Sequence, residues 1–302
     1  MVSNRAVLFA LMVFVLSGCS AQNTPPKFDS QDAFSILKKQ CDFGPRPVGT
    51  KAHDQTRDYL VSELRKYSDR VESQNFTQKV GGKELALSNV IARFGSGTSG
   101  VLLCAHWDTR PTADQELEVE KRKIPIIGAD DGASGVAVLL ELARMFHEKP
   151  PAIPVTIVLF DGEDYGLSGD DMFLGSSYFA KNGHISDYKF GILLDMVGDK
   201  QLELPREGNS QEKALSITDK VWAAGKSLGY GKVFSDNITY SIGDDHIPLI
   251  NAGLPCTDVI DFNYAYWHTS QDTVDKCSPE SLKIVGETVA KVVYSERPKS
   301  GK

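Results

Sequence analysis

The stretch VLLCAHWDTRPTADQELEVEKRKIPIIGADDGASG, from Val101 to Gly135, indicates the fold of this chain. Its first five residues are apolar at consecutive positions, which is typical of a strand that is buried on both faces of a sheet. His106 and Asp108 follow at the end of that strand, and a polar loop then leads to Asp130 and Asp131, just before a predicted helix. Open α/β sheets keep their binding sites at the carboxyl edge of the strands. The stretch therefore predicts an α/β fold with a polar site at that edge.

Strand and helix patterns alternate along the rest of the chain. Strands are predicted at Val71 to Val80, Leu87 to Phe94, Val101 to Ala105, Val155 to Phe160, Gly191 to Leu194, Asn237 to Tyr240 and Cys256 to Ile260. Helices are predicted at Ser30 to Cys41, His53 to Tyr67, Ala133 to Phe146, Ser176 to Lys181, Gln211 to Leu228 and Pro279 to Tyr294. No linker or internal repeat interrupts this alternation, so we expect one α/β domain over residues 30–298.

The first residues have the layout of a bacterial signal peptide. Arg5 precedes the apolar run Ala6 to Leu16, which is too short to span a bilayer comfortably. The sequence Leu16-Ser17-Gly18-Cys19 resembles a lipobox, in which the cysteine becomes the lipidated first residue of the mature protein; the alternative is an ordinary signal peptide with an incidental cysteine. We expect a signal peptide over 1–18, lipidation of Cys19 and a tether over 19–29. Ser20 after the cysteine favours the periplasmic side of the outer membrane.

The composition is typical of a soluble globular domain and excludes several partners. The 302 residues are 41% hydrophobic and 24% charged, and the formal net charge is −7 with the basic residues scattered. The chain has no basic patch of the kind that binds nucleic acid, so we expect no nucleic-acid partner and membrane association only through the lipid anchor.

Four more cysteines follow Cys19, and none has the spacing of a zinc knuckle. Cys104 lies in an apolar strand and is expected to be a buried thiol. An exported protein can oxidise its cysteines, so one disulfide bond is open to Cys41, Cys256 and Cys277, although their sequence positions do not pair them.

Three of the predicted strands end in histidine or acid, and such groups are costly to bury unless something pairs with them. Zinc favours a mixture of imidazole nitrogen and carboxylate oxygen, whereas calcium prefers more oxygens and no imidazole. Taken singly, these residues have structural alternatives as core histidines, helix caps or surface acids. Together on one sheet edge they predict a zinc site, formed from His106, Asp131, Asp164, Asp195 and His268.

Several motifs, in this order, resemble the co-catalytic zinc aminopeptidases and their relatives the glutaminyl cyclases. They are His106-x-Asp108, Gly128-Ala129-Asp130-Asp131-Gly132-Ala133-Ser134-Gly135, Phe160-Asp161-Gly162-Glu163-Asp164, Leu194-Asp195 and His268-Thr269. The match runs from about Phe34 to the last helix. The resemblance implies a three-layer α/β/α sandwich with a mixed, twisted β-sheet.

The resemblance also implies roles for individual residues. Glu163 matches the catalytic acid/base, and the ligands of the first zinc are implied to be Asp131, Asp164 and His268. His106 and Asp195 match ligands of a second zinc in the aminopeptidases, whereas the animal-type cyclases retain these residues and bind one zinc. This chain has Asp164 where the family often has Glu.

Two motifs and one loop resemble the cyclase branch, and the loop resembles the bacterial glutaminyl cyclases in particular. Asp244, in Asp244-Asp245-His246-Ile247-Pro248, matches an active-site aspartate where aminopeptidases commonly have Ser, and implies a hydrogen-bonded acid pair with Asp195. Trp267 precedes the ligand His268 and matches a wall of the substrate pocket; its structural alternative is a buried core indole. The loop from Trp107 to Ile127 also resembles the bacterial cyclases and implies that Trp107 contacts substrate.

Three functions are open at this point. The first is cyclisation of the N-terminal glutamine of peptides and proteins to pyroglutamate, with release of ammonia and with one zinc ion. The second is a two-zinc aminopeptidase that hydrolyses N-terminal residues. The third is a surface lipoprotein that uses the fold as a binding module, and Glu163 argues against it because a non-catalytic relative has no reason to retain an acid/base.

Overall fold

A six-stranded mixed sheet forms the centre of the computed structural model, which describes residues 24–166, 169 and 171–298. Its strand order is β1-β2-β4-β3-β5-β8, and β6 and β7 form a separate two-stranded sheet. The strands are β1 (Arg70–Val80), β2 (Lys83–Phe94), β3 (Gly100–His106), β4 (Val155–Phe160), β5 (Tyr188–Asp195), β6 (Leu204–Glu207), β7 (Phe234–Tyr240) and β8 (Cys256–Ile260). The expected signal peptide and the lipidation site Cys19 lie outside the described residues.

Four neighbouring strands of the sheet run in the same direction. The pairs β4/β3, β3/β5 and β5/β8 are parallel, whereas β1/β2 and β2/β4 are antiparallel. The carboxyl ends of β3, β4, β5 and β8 therefore lie along one edge, as the pattern of polar residues after these strands predicts.

Helices cover both faces of the sheet. Successive side chains of a strand point to opposite faces, and along β3 the side chains of Val101, Leu103 and Ala105 join one apolar core while Leu102 and Cys104 join another. The first core includes side chains of α1, α2, α3, α6 and α8, and the second includes those of α4 and α7. The helices are α1 (Ser30–Asp42), α2 (Lys51–Arg65), α3 (Ala133–Glu148), α4 (Leu174–Asn182), α5 (Gly208–Lys213), α6 (Leu215–Ser227), α7 (His246–Asn251) and α8 (Pro279–Ser295). The expected three-layer α/β/α sandwich with a mixed sheet is confirmed.

Local sequence accounts for many of the element boundaries. Gly81 and Gly82 both have positive φ, 54° and 82°, and connect β1 to β2 in a two-residue hairpin turn, for which glycine is favoured. Asp29 caps α1, since its carboxylate accepts the backbone N–H groups of Gln31 and Asp32. The cap thus lies one residue before the predicted helix, inside the stretch expected to be a tether.

The region between β5 and β8 differs from the prediction. The helix expected at Gln211 to Leu228 is two helices, α5 and α6, that meet at Ala214. Alanine has the highest helix propensity, so no local signal marks this break. Side-chain hydrogen bonds hold α5 in place. Glu207 caps its first turn, and the Ser210 hydroxyl accepts the backbone N–H of Asp258 on β8. The short strand β6 was not predicted, because it has four residues and contains Pro205.

The four cysteines within the described residues are all buried with free thiols. The buried thiol expected at Cys104 is confirmed, and the disulfide bond left open for Cys41, Cys256 and Cys277 is not formed. Within the same part of the chain, no helix is both long and apolar enough to cross a membrane.

Candidate active site

The carboxyl edge of the parallel strands brings the predicted site residues together. His106 and Asp195 are the last residues of β3 and β5, and Glu163 follows β4. Asp131 lies just before α3, and His268 lies in the loop after β8. A small cavity at this edge is lined by Asp131, Glu163, Met172, Asp195, Met196, Ile242, Gly243, Asp244, Ile260, Phe262, Trp267 and His268.

Two groups of metal-binding side chains share one carboxylate. In the first group, His268 Nε2 lies 3.3 Å from Asp164 Oδ1 and 3.5 Å from Asp131 Oδ2. In the second, His106 Nε2 lies 3.2 Å from both Asp131 Oδ1 and Asp195 Oδ1. Asp131 thus has one oxygen directed to each group, and each group of three offers ligand atoms within 4.8 Å of one another.

The donor atoms of the first group fit a zinc ion. One imidazole and two carboxylates match the ligands that zinc prefers, and the three side chains are buried. Asp131 Oδ2 and Asp164 Oδ2 are buried without a hydrogen-bond partner in the described structure. Buried carboxylate oxygens of this kind are costly unless a cation or a donor pairs with them, so we read the group as the holder of a metal ion.

The charged side chains of the first group shift one another's pKa values. Burial raises the pKa of Asp131, and the neighbouring Asp164 raises it further. Burial alone would raise the pKa of Asp164, but His268 and Arg110 outweigh it and lower that pKa. Burial alone would lower the pKa of His268, but the carboxylates of Asp164 and Asp114 raise it to about 9.

Glu163 is buried and lines the cavity. Its Oε2 lies 3.7 Å from His106 Nδ1. Burial and the negative charge of Asp164 raise the pKa of Glu163 well above its ordinary value, against the opposing effect of His106. A carboxyl with a raised pKa can both accept and donate a proton near neutral pH, which is what a general acid/base must do.

Asp195 and Asp244 both line the cavity, but the hydrogen bond expected between them is not formed. Asp244 Oδ1 accepts the backbone N–H of Asp245 at 2.5 Å, and its Oδ2 has no partner among the described residues. The charge of Asp195 still acts on Asp244, since burial and that charge raise the pKa of Asp244.

The two tryptophans that are expected to contact substrate, Trp267 and Trp107, have different environments. Trp267 is half-buried, lines the cavity, and stacks on His268 with 4.0 Å between ring centroids, so it is not a core indole. Trp107 is fully buried and stacks on His53, with ring centroids 4.3 Å apart. The expectation that Trp107 contacts substrate is therefore wrong. Side chains alternate along an extended chain, so the residue after His106 points away from the site.

A model of one protein family matches residues 89–293, the part of the chain that contains all of these site residues, and its description is peptidase family M28. The chain belongs to peptidase family M28. The resemblance expected from the motifs is confirmed at the level of this family of zinc-dependent peptidases and their relatives.

Relatives of this M28 chain include proteins of both expected branches. The solved structure of Tannerella forsythia glutaminyl cyclase is 40% identical, with a TM-score of 0.86 over 90% of this chain and 100% of that chain. A zinc-dependent exopeptidase from Parabacteroides distasonis is 37% identical, with a TM-score of 0.88 over 90% of this chain and 100% of that chain. Aminopeptidase YwaD of Bacillus subtilis is 25% identical over 67% of this chain, which spans 42% of the length of that protein.

The M28 chain also has buried residues near the site to which the sequence interpretation gave no role. Asp272 accepts the backbone N–H groups of Asp130 and Asp131, and Asp108 accepts those of Glu163 and Asp164. Asp108 lies two residues after His106 at a strand end, which was a signal for such a role. Asp272 has no comparable signal, because it lies in an irregular loop.

A second buried cluster lies behind Asp244. His246 Nε2 lies 3.3 Å from Glu207 Oε2, and its Nδ1 lies 3.7 Å from Asp258 Oδ2. Asp258 and His246 are fully buried, and burial together with the charges of Asp244 and Asp195 raises the pKa of Asp258. This cluster connects the cavity to α5 and β8.

Proposed function

We propose that this chain is a zinc-dependent glutaminyl-peptide cyclotransferase, which converts the N-terminal glutamine of peptides and proteins to pyroglutamate and releases ammonia. The observation that supports it best is the composition of the cavity. Its lining combines one acid/base candidate, Glu163, with Asp244 and the aromatic face of Trp267, beside the metal-binding candidates Asp131 and His268. Similarity to a solved bacterial glutaminyl cyclase over the whole length of that chain also supports it.

One zinc ion would bind at the first group of ligands. Asp131, Asp164 and His268 would hold it, and it would supply a Lewis acid that polarises the γ-carbonyl of the substrate glutamine. Asp131 and Asp164 each have one buried oxygen without a hydrogen-bond partner in the described structure, which leaves these atoms free for coordination.

Glu163 transfers the protons of the reaction. It accepts a proton from the α-amine of the substrate as that amine attacks the γ-carbon of the same residue, and it then donates a proton to the leaving nitrogen. The attack is intramolecular, so a cavity that holds the glutamine side chain folded back removes much of the entropic barrier.

The remaining cavity residues hold the substrate. Asp195 and Asp244 face the leaving amide. Burial together with the charge of Asp195 raises the pKa of Asp244, which favours its protonated form, so Asp244 can donate a hydrogen bond to the substrate amide. Trp267 forms an apolar wall for the methylene groups of the glutamine side chain. Its stacking on His268 and its contact with Phe262, at 4.9 Å between ring centroids, fix the orientation of this wall.

A two-zinc aminopeptidase is the second candidate, and one observation favours it. His106, Asp131 and Asp195 form a complete second group of ligands next to the first. In that case Glu163 would activate a water molecule for hydrolysis of the first peptide bond.

One experiment separates the two functions. The purified protein without its lipid is incubated with a glutamine-initiated peptide, and mass spectrometry follows the products. We expect loss of ammonia, which disappears in Glu163→Gln. Release of a free amino acid would instead establish the aminopeptidase activity. An unchanged peptide would indicate that the protein uses this fold for binding and not for catalysis. Zinc content per chain gives a second measurement, with one ion expected for a cyclase and two for an aminopeptidase.

For localisation, we propose that the chain is an exported lipoprotein on the periplasmic side of the outer membrane. The apolar run after Arg5 and the sequence Leu16-Ser17-Gly18-Cys19 support this proposal. Expression with labelled palmitate should label the wild type and leave Cys19→Ala unlabelled and absent from the membrane fraction. Equal membrane association of the two proteins would contradict it.

A further inference from the structure

The loop between β3 and α3 contacts two of the three metal-binding candidates of the first group, Asp164 and His268. Arg110 Nη1 donates to Asp164 Oδ1 at 2.5 Å, and its Nε donates to Asp114 Oδ1. The same Asp114 oxygen lies 3.3 Å from His268 Nδ1. Arg110 is buried, with 4% of its surface exposed. One buried guanidinium and one carboxylate thus connect two of the three proposed zinc ligands.

We propose that Arg110 and Asp114 are positioning residues for the metal centre of Asp131, Asp164 and His268. The inference rests on the metal-binding part of the proposed function and not on the identity of the reaction. Carboxylates that contact the second nitrogen of a ligand histidine fix its tautomer and ring orientation, and donors to the second oxygen of a ligand carboxylate fix that group in turn.

The contacts at Asp164 leave one oxygen for the metal. Arg110 binds Oδ1, whereas Oδ2 is buried without a partner in the described structure. Arg110 therefore restricts the rotation of the carboxylate and selects the oxygen that remains available.

The loop contacts at His268 stabilise a strained backbone conformation of this residue. His268 has φ of +53°, in the left-handed region that a histidine adopts only at a cost. The loop compensates directly: the backbone N–H of Gln115 donates to the His268 carbonyl at 3.2 Å, and the Glu116 carboxylate accepts the backbone N–H of Ser270 at 2.9 Å. Asp114 directly precedes Gln115 in the chain, and its carboxylate lies beside the imidazole Nδ1.

Two substitutions with opposite effects on charge test the proposal. Arg110→Met removes a positive charge and Asp114→Ala removes a negative charge. If these residues only adjusted the net charge, Arg110→Met would bind zinc more tightly and Asp114→Ala more weakly. If they position the ligands, both variants bind more weakly, by about 10- to 100-fold.

Zinc affinity is measured on the purified protein without its lipid, after removal of bound metal. A chromophoric chelator competes for the zinc, and no substrate is present. Arg144→Met is the matched control, because Arg144 pairs with the buried Glu141 on α3, away from the site. Thermal unfolding of the metal-free variants separates loss of affinity from loss of folding. Arg110→Lys should recover part of the affinity, since it keeps a donor to Asp164.

Weaker zinc binding in both variants, with wild-type affinity in Arg144→Met, supports the proposal. Wild-type or tighter affinity in Arg110→Met, or wild-type affinity in Asp114→Ala, overturns it. A wild-type protein that binds zinc but leaves glutamine peptides unchanged would refute the proposed activity and leave this inference standing.

Discussion

Three buried aspartates fix the loops on which the candidate site residues lie. Asp108 accepts two backbone N–H groups of the loop after β4, and Asp272 accepts two from the segment before α3. Asp161 accepts the backbone N–H of Ser88 at 2.7 Å and contacts His53 Nε2 at 2.8 Å. Asp108 and Asp272 accept backbone donors where regular structure ends, and Asp161, directly after β4, connects its loop to β2 and α2. The positions of the site residues therefore depend on charge-assisted hydrogen bonds as well as on strand ends.

Asp108→Asn tests this role. An amide has one acceptor oxygen, so the variant can accept only one of the N–H groups of Glu163 and Asp164. We expect the free energy of unfolding to fall by about 1.5–3 kcal/mol. Turnover should fall about 100-fold, because the acid/base and a metal ligand shift together. Chemical denaturation and the ammonia assay measure the two effects.

The control for Asp108→Asn is Asp69→Asn. Asp69 also accepts a backbone N–H, that of Gly95, but it is exposed and away from the cavity. The control should keep wild-type turnover. Full turnover in Asp108→Asn would show that its hydrogen bonds do not position the catalytic loop.

At the scale of elements, the close packing of α3 on the sheet places Asp131 at the carboxyl edge. Gly135 in the first turn of α3 faces β5, and a Cβ atom there would lie 2.3 Å from the Leu194 carbonyl oxygen and 3.0 Å from the Ala105 Cβ. Backbone atoms of a central strand cannot move aside cheaply. The helix therefore needs glycine at this position to approach the sheet.

Gly135→Ala should lower the free energy of unfolding by about 1–3 kcal/mol, because the helix must shift away from β5. Zinc affinity should fall as well, since Asp131 moves with the start of the helix. The control is Gly231→Ala, where the nearest atom to an added Cβ is Lys226 Cγ at 3.6 Å. Thermal unfolding compares the two variants, and equal stability would contradict the argument.

Glu207 connects α5, β6 and α7 through one carboxylate. It accepts the backbone N–H groups of Asn209, Ser210 and Ile242 and lies 3.3 Å from His246 Nε2. Burial alone would raise the pKa of Glu207, but His246 and the backbone donors outweigh it and lower the pKa from its ordinary value of 4.5 to about 2.

The depressed pKa predicts an acid-sensitive contribution to stability. A carboxyl whose pKa is lower in the folded state stabilises the fold above its ordinary pKa, and this contribution is lost as the pH falls through the folded-state pKa. The difference in unfolding free energy between wild type and Glu207→Gln should be constant above a pH of about 4.5 and shrink toward a pH of about 2. Urea denaturation of the metal-free proteins measures it. A difference that does not vary with pH would contradict this assignment.

At the scale of the whole molecule, the site unites residues from distant parts of the chain around a concentration of negative charge. Asp131, Asp164, Asp195 and Glu163 are buried within one small region. Burial, and after it the charge of Asp164, raises the pKa values of Asp131 and Glu163 in the metal-free state. A bound cation reverses the repulsion, so metal binding is coupled to the loss of protons.

Zinc binding should therefore release protons. Burial alone would lower the pKa of His268, but Asp164 and Asp114 raise it to about 9, so the metal-free protein holds a proton there at neutral pH. That protonated form stabilises the metal-free fold below the ordinary histidine pKa, and the contribution is lost as the pH rises through about 9. Since a zinc ligand must be neutral imidazole, apparent zinc affinity should rise with pH up to about 9.

Titration calorimetry in buffers of different ionisation enthalpy counts the released protons. His268→Ala should bind zinc more weakly and with a flatter dependence on pH. A zinc affinity of the wild type that is independent of pH between neutrality and about 9 would contradict the prediction.

Local patterns in the sequence predict most of the elements and the sheet edge at which the site residues lie. Consecutive apolar residues in β3, β4 and β5 indicate strands buried on both faces, and polar residues after them lie at one edge because parallel strands end together. The two glycines of the β1–β2 turn indicate the hairpin through their left-handed backbone. These signals are local, which is why the strands at Val155 to Phe160 and Cys256 to Ile260 were predicted with their observed limits.

Which of the polar residues meet, and which contacts hold them, depends on the tertiary structure. No local signal predicts the stacking of Trp107 on His53, the break at Ala214 or the contacts of Arg110 and Asp114 with the metal-binding candidates. Each depends on contacts between residues that are far apart in the chain, and such contacts override local propensity when a buried polar group needs a partner.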